Sequence, residues 1–293
     1  MAMKRLSLLL TWIFLMPFLL FPARANMAAP QKEDVGSSIT FEKNQQLAVL
    51  SQVLDIQVQG SQATITACYT MKNTTQEEVT TETMFLSPNV EESGTRVTVG
   101  GQEVPFSIER YGISYDTRIT TQDWRYAVLS PGDEENSAPG EQVDSITFEM
   151  TFAPEEEYDV VVSYVYRLGG YPDLDYNTKY GRIRYYLAPA AMWKDFGNLT
   201  IHLQLDEALP VLKESNLDFE KVGKREYQYT SATLPEENLE ITIDESWFQT
   251  IFSTFRNPYL PMMLLMFSPF LLILLLAILF FLWRRRKKKN KQA

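Results

Sequence analysis

Leu54-Asp55-Ile56-Gln57-Val58-Gln59-Gly60-Ser61-Gln62-Ala63-Thr64-Ile65-Thr66-Ala67-Cys68-Tyr69-Thr70-Met71 is the stretch that decides the fold class. Leu54, Ile56 and Val58 alternate with polar residues, and Ile65, Ala67, Tyr69 and Met71 share one side of the return. A period of two sends successive side chains to opposite faces of an extended strand. Gly60-Ser61 between the two runs is a Gly-first pair suited to a tight turn, so the stretch reads as a β-hairpin with one buried face.

The same period continues outward. Asn73-Thr74-Thr75 makes the next turn, and residues 78–86 form a Thr-rich strand ending at Ser87-Pro88. Residues 95–99 and 102–108 form a second hairpin around Gly100-Gly101. Further strands are expected at 145–152, 158–166, 182–187, 198–205, 217–221, 226–230 and 238–243. The stretches 131–141 and 169–177 read as polar loops. Successive short strands of this kind predict an all-β region over residues 38–244, an antiparallel β-sandwich of one large or two small immunoglobulin-like units. A subdivision near 110–145 stays open.

The period changes at residues 245–259, where Phe248, Ile251, Phe252, Phe255 and Tyr259 recur at helical steps after Trp247. This predicts a juxtamembrane amphipathic segment, with Trp247, Phe248, Phe252, Phe255 and Tyr259 at the lipid interface and Trp283 at the other end of the span. A helix packed under the sandwich is the competing reading. Residues 260–283 carry no charge and are interrupted only by Pro261, Ser268 and Pro269. At about 1.5 Å per residue such a helix reaches roughly 36 Å, enough for a hydrocarbon core of about 30 Å. Arg284, Arg285, Arg286, Lys287, Lys288 and Lys289 follow directly and orient the span with a basic tail, residues 284–293, inside. The same cations would attract anionic lipids.

Residues 1–25 read as a cleaved signal peptide: Lys4-Arg5, an apolar run, then Ala23-Arg24-Ala25. An uncleaved first anchor is the alternative. Residues 26–37 are expected to be a flexible N-terminal segment. The predicted localisation is the plasma membrane of a bacterium, single-pass, with the N-terminal domain extracytoplasmic.

Of the 27 basic residues, ten lie in the two terminal segments, leaving 17 against 37 acidic ones. An outer domain near −20 repels phosphate backbones, so no nucleic-acid partner is expected. Cys68 is the single cysteine, which excludes an intrachain disulfide framework. His202 is the single histidine and lies on the polar side of its strand. One His and one Cys cannot build a typical structural zinc site, a Ser-His-acid triad would need His202, which has no motif around it, and no phosphate-cradling G-x-x-x-x-G-K-S/T loop is present. No catalytic residue, cofactor or enzyme activity is assigned. An extracellular hydrolase using a carboxylate pair remains the third reading.

Asp173, Asp175 and Asn177 match the opening of a calcium loop. Thr178 and Arg184 stand where an EF-hand needs Gly and Glu, so only a looser calcium site is conceivable. Tyrosines crowd the region from 164 to 193, and Tyr171, Tyr176, Tyr180 and Trp193 are candidate binding aromatics, although cross-strand packing explains them as well.

Tyr69-Thr70-Met71-Lys72-Asn73-Thr74-Thr75-Gln76-Glu77-Glu78-Val79, followed by Phe85 and Pro88, resembles a strand-turn-strand of uncharacterised bacterial surface proteins. The resemblance implies a β-sandwich ectodomain held by one C-terminal transmembrane helix, and carries no site residues. In a eukaryotic host, Asn73-Thr74-Thr75 and Asn198-Leu199-Thr200 would be glycosylation acceptors. The leading expectation is a membrane-anchored binding module with a protein or glycan partner outside the cell. The alternative is an accessory subunit of a larger transporter or sensor, docked on a membrane protein through its helix.

Overall fold

The computed structural model describes residues 27–28, 30–32, 39–41, 43–113, 129–131, 142–174 and 176–289. The expected signal peptide lies outside the described residues, as do most of the segment 26–37 and most of residues 114–141.

Among the described residues the chain is mostly β, with three sheets. The first has the order β1 (Met27–Ala28), β6 (Val79–Ser87), β11 (Gln142–Phe152), β9 (Phe106–Ile113), β10 (Leu129–Pro131), β3 (Ile39–Phe41), β2 (Pro30–Lys32). The second has the order β16 (Glu220–Lys221), β17 (Glu226–Ser231), β14 (Phe196–Gln204), β4 (Leu47–Gln59), β5 (Gln62–Asn73), β12 (Glu157–Arg167), β7 (Glu91–Val99), β8 (Gln102–Glu103). The third is β13 (Tyr180–Tyr185), β18 (Leu239–Asp244), β15 (Val211–Ser215).

The β4–β5 hairpin lies at the middle of the second sheet. Its register sets Ile56 opposite Ile65, and Gly60 takes a φ of +60° at the turn, a conformation that costs a residue with a Cβ. Leu54, Ile56, Ile65, Ala67 and Tyr69 are all buried, and each large one contributes about 1.5–3 kcal/mol by leaving water. Phe85 of the first sheet meets Tyr164 of the second edge-on, with ring centroids 5.5 Å apart, and Phe152 meets Tyr158 at 5.3 Å. Ile183, Tyr185, Ile241 and Ile243 bring the third sheet into the same contiguous core.

Three local features depart from the periodic reading. The second sheet is mixed, because β14 runs parallel to β4, with Phe196 beside Val49 and His202 beside Asp55. A parallel neighbour needs a crossover, and here the chain arrives through β13 and a 3-10 turn at Ala188–Met192. Beside that junction the β4–β5 register slips between Val49 and Ser51. The slip leaves Leu50 as an exposed bulge and turns the polar Gln52 inward.

The second expected hairpin divides at Val104-Pro105. β8 pairs with β7, whereas β9 pairs with β11 in the first sheet, because proline has no N–H to continue the ladder. Finally, β15 has no alternation in Val211-Leu212-Lys213-Glu214-Ser215 to announce it, and its pairing with β18 slips between Leu212 and Glu214.

Asn73 is wholly buried. Its Nδ2 donates to the carbonyls of Glu77 (2.7 Å) and Ala153 (3.0 Å), while its Oδ1 accepts from the Thr75 N–H at 2.9 Å. The residue is therefore the expected turn, and a glycan at its amide has no room.

The chain divides into two compact units. One runs to Tyr171 and resumes over Gly181–Asp244. The second joins the loop Pro172–Tyr180 to the chain from Glu245 onward.

Candidate functional site

The second unit contains two helices, α1 (Trp247–Arg256) and α2 (Leu260–Lys289). α1 opens with a capping box: Ser246 Oγ and its N–H both donate to Gln249 Oε1, at 2.6 and 2.9 Å. The Ser-x-x-Gln spacing was legible in the sequence and marks the helix start, a signal missed by reading hydrophobic period alone. α1 ends before Asn257-Pro258, since proline disfavours helical backbone in the residue before it. Asn257 Oδ1 accepts the Tyr259 N–H at 2.8 Å and the Asn257 carbonyl accepts the Leu260 N–H at 3.0 Å, turning the chain into α2.

The side-chain distribution on α1 is inverted relative to a helix packed on a core. Ser253 is buried, with its hydroxyl donating to the Thr250 carbonyl at 2.7 Å. Trp247, Phe252 and Phe255 are 64%, 65% and 68% exposed, and Phe248, Ile251 and Tyr259 are exposed as well. Trp247 and Phe248 stack on each other at 3.7 Å. The single cation, Arg256, sits in the last turn, where the helix dipole favours it, with Glu245 Oε1 3.9 Å away. Glu245 is buried, and its N–H donates to the Lys179 carbonyl in the loop Pro172–Tyr180.

α2 exposes Leu, Ile, Met and Phe around its whole described circumference. No single straight helix among the described residues is long and apolar enough to cross a membrane. Instead Leu260–Phe270 and Leu272–Leu282 form a pair bent by 48°. Pro269 lies inside the helix and cannot donate to the Leu265 carbonyl. Ser268 Oγ donates to that carbonyl instead, at 2.7 Å. The helical backbone continues through Arg284 to Lys289. The side chains of Trp283, Arg284, Arg285, Arg286, Lys287, Lys288 and Lys289 lie outside the described residues.

The aromatic candidates scatter. Trp193 is fully buried in the core, so it presents no binding surface, and Tyr171 is half-buried against the same core. Tyr176 meets Tyr259 edge-on at 6.2 Å within the second unit, and Tyr180 is exposed. Tyr69, Tyr164, Tyr185 and Tyr186 are core residues. Gln52 Nε2 donates to the hydroxyls of Tyr185 (2.9 Å) and Tyr69 (3.1 Å), which are 3.0 Å from each other. Burial pushes the Tyr69 phenol well above the ordinary tyrosine range, against a smaller opposing effect of the Tyr185 hydroxyl.

Of the calcium candidates, Asp173 and Asn177 are exposed and Asp175 lies outside the described residues. Among the described residues no group of three or more His, Cys, Asp and Glu side chains is placed to hold a metal ion. His202 is exposed and borders a cavity of about 230 Å³ with Asp55, Gln57, Gln204, Glu226 and Tyr227. Cys68 is half-buried; burial raises its thiol pKa, followed by the charges of Asp159 and Asp55, which keeps it in the unreactive thiol form.

No family model matches the chain, and no curated protein matches it. Among solved structures, it is similar to a putative nutrient binding protein from Legionella pneumophila, with a TM-score of 0.46 and 16% identity over 76% of this chain and 73% of that one. It is also similar to native yeast LTA4 hydrolase (TM-score 0.37, 12% identity, 68% of this chain and 29% of that one). A third is an M1 zinc metallopeptidase from Deinococcus radiodurans (TM-score 0.30, 10% identity, 70% and 43%). The chain thus spans less than half the length of either of these last two.

Proposed function

We propose that the protein is a type I, single-pass membrane protein of the bacterial plasma membrane, whose immunoglobulin-like β-sandwich ectodomain serves as a binding module for a protein or glycan outside the cell. The observation that carries this reading is the inverted α1: five apolar or aromatic residues face outward and Ser253 faces inward, shortly before the uncharged run of residues 260–283. In water that arrangement exposes apolar surface at a cost of about 25 cal/mol per Å², whereas at a bilayer interface the same surface is buried and Trp and Tyr are favoured. Arg284 to Lys289 then hold the tail on the inner side.

The accessory-subunit reading draws less support. A proline kink favours a neighbouring helix when the freed carbonyl needs an outside donor. Here Ser268 supplies that donor from within the helix.

Membrane fractionation tests the reading. The full chain is expected to stay in the pellet at alkaline pH and to dissolve only in detergent. Protease added outside intact cells should remove the ectodomain while a tag after Ala293 stays protected. Release of the chain by alkaline carbonate, or loss of the tag, would overturn it. Purification in mild detergent separates the two partner readings: a stable co-purifying membrane protein supports the accessory subunit, and repeated isolation alone supports a module acting through its own ectodomain.

A further inference from the structure

We infer that the loop Pro172–Tyr180, which follows β12 and ends on the first residue of β13, is a second membrane-contacting element, seated at the headgroup level of the lipid bilayer beside α1. This rests on the proposed anchoring and extends it to a part of the chain about 70 residues upstream of α1. The loop belongs to the same compact unit as the helices. Two contacts tie it there: the Lys179 carbonyl accepts the Glu245 N–H at 3.2 Å, and the Tyr176 ring meets the Tyr259 ring edge-on. Tyr259 immediately precedes Leu260, the first residue of the apolar helix. A ring resting on Tyr259 therefore lies at the depth where the chain enters the hydrocarbon.

The loop has the composition for that depth. Leu174 is 49% exposed and Tyr180 is 39% exposed, so both have apolar surface available for burial in a bilayer interface. The Leu174 carbonyl accepts the Asn177 N–H at 3.0 Å. Tyr176 and Tyr180 add the amphipathic rings enriched at both membrane surfaces. Asp173, also exposed, keeps its carboxylate hydrated among the headgroups, and this limits the loop to the interface. The occupant of this surface is lipid, the same as that proposed for the α1–α2 elbow, because Tyr176 packs on Tyr259 and Lys179 is tied to Glu245 just before α1.

Site-directed spin labelling of the full chain in phospholipid nanodiscs tests this. Cys68→Ser removes the native thiol, and single cysteines are then placed at Leu174, at Val222 as an exposed reference outside the second unit, and at Ile273 as a reference within α2. A Leu174 label protected several-fold from a water-soluble nickel relaxant relative to Val222, and accessible to oxygen, is the expected result. A Leu174 label as accessible to nickel as Val222, with Ile273 protected, overturns the loop contact and leaves the anchor standing. Nickel access at Ile273 as well would overturn the anchoring itself.

Discussion

The hydroxyl of Ser268 donates to the carbonyl of Leu265 at 2.7 Å, the acceptor that Pro269 leaves without its amide partner. One side chain thus repairs the bond that its neighbour breaks. Ser268→Ala is expected to destabilise the helix by about 0.6–2 kcal/mol, the range of such bonds in membranes. Pro269→Ala restores the amide, so Ser268→Ala should cost little in that background. A double-mutant cycle on unfolding in mixed micelles checks this; equal losses in both backgrounds would show that Ser268 does not serve the freed carbonyl.

Gly197 stands at the parallel junction of β14 and β4, where an added Cβ would lie 2.0 Å from the Leu50 carbonyl oxygen. No rotamer relieves a backbone clash, so Gly197→Ala should cost more than the roughly 1–3 kcal/mol of ordinary overpacking. Gly60→Ala meets no atom within 4 Å and carries only the strain of its positive φ, about 1–2 kcal/mol. Denaturant unfolding of the detergent-solubilised chain should rank the two in that order.

Tyr69→Phe removes a buried hydroxyl that Gln52 and Tyr185 both address, leaving Gln52 with one of its two donations. A loss of about 1–3 kcal/mol is expected. Tyr180→Phe, on an exposed ring, should lie within about 0.5 kcal/mol of the parent.

Burial raises the phenol pKa values of Tyr69 and Tyr164 above that of an unfolded tyrosine. Such groups stay protonated in the folded chain and ionise readily only when it unfolds. Their contribution to stability is therefore complete below about pH 10 and is lost progressively as pH rises above it. Ultraviolet titration should show a tyrosine subset that ionises only together with loss of fold; a smooth titration of every tyrosine would contradict their burial.

Asp206 ties the β4–β5 turn to the segment after β14, accepting the Gly60 N–H at 2.6 Å and the Ala208 N–H at 2.8 Å. Partial burial pushes its carboxyl pKa up, but these backbone donors, with that of Glu207, outweigh it and leave the pKa lowered. Its stabilisation is present above the ordinary carboxylate pKa of about 3.9 and disappears as pH falls through the lower folded value. Asp206→Asn should lower stability at neutral pH and flatten its decline in acid, measured as the thermal midpoint against pH.

The hairpin around Gly60-Ser61 and the strands at 145–152, 158–166 and 198–205 were legible in the sequence, because each has a clean alternation and one buried face. The lapses occurred where tertiary contacts override the period. The Leu50 bulge, made room for by Gly197, turns Gln52 inward; Pro105 sends β9 to another sheet; β15 is held by β18 rather than by its own pattern. The tyrosine crowding was visible, yet burial divides it, assigning Trp193 to the core and Tyr176 to a contact with Tyr259.

Sequence alone determined the β class, the aromatic period of residues 245–259 and the uncharged run after it, since period and charge are local properties of the chain. Tertiary structure decided the parallel seam between β4 and β14, the outward facing of the α1 aromatics and the attachment of the loop Pro172–Tyr180 to the helices. Each of these depends on which distant residue meets which. Glu245 reaching Lys179 and Tyr176 reaching Tyr259 are pairings that no local pattern encodes.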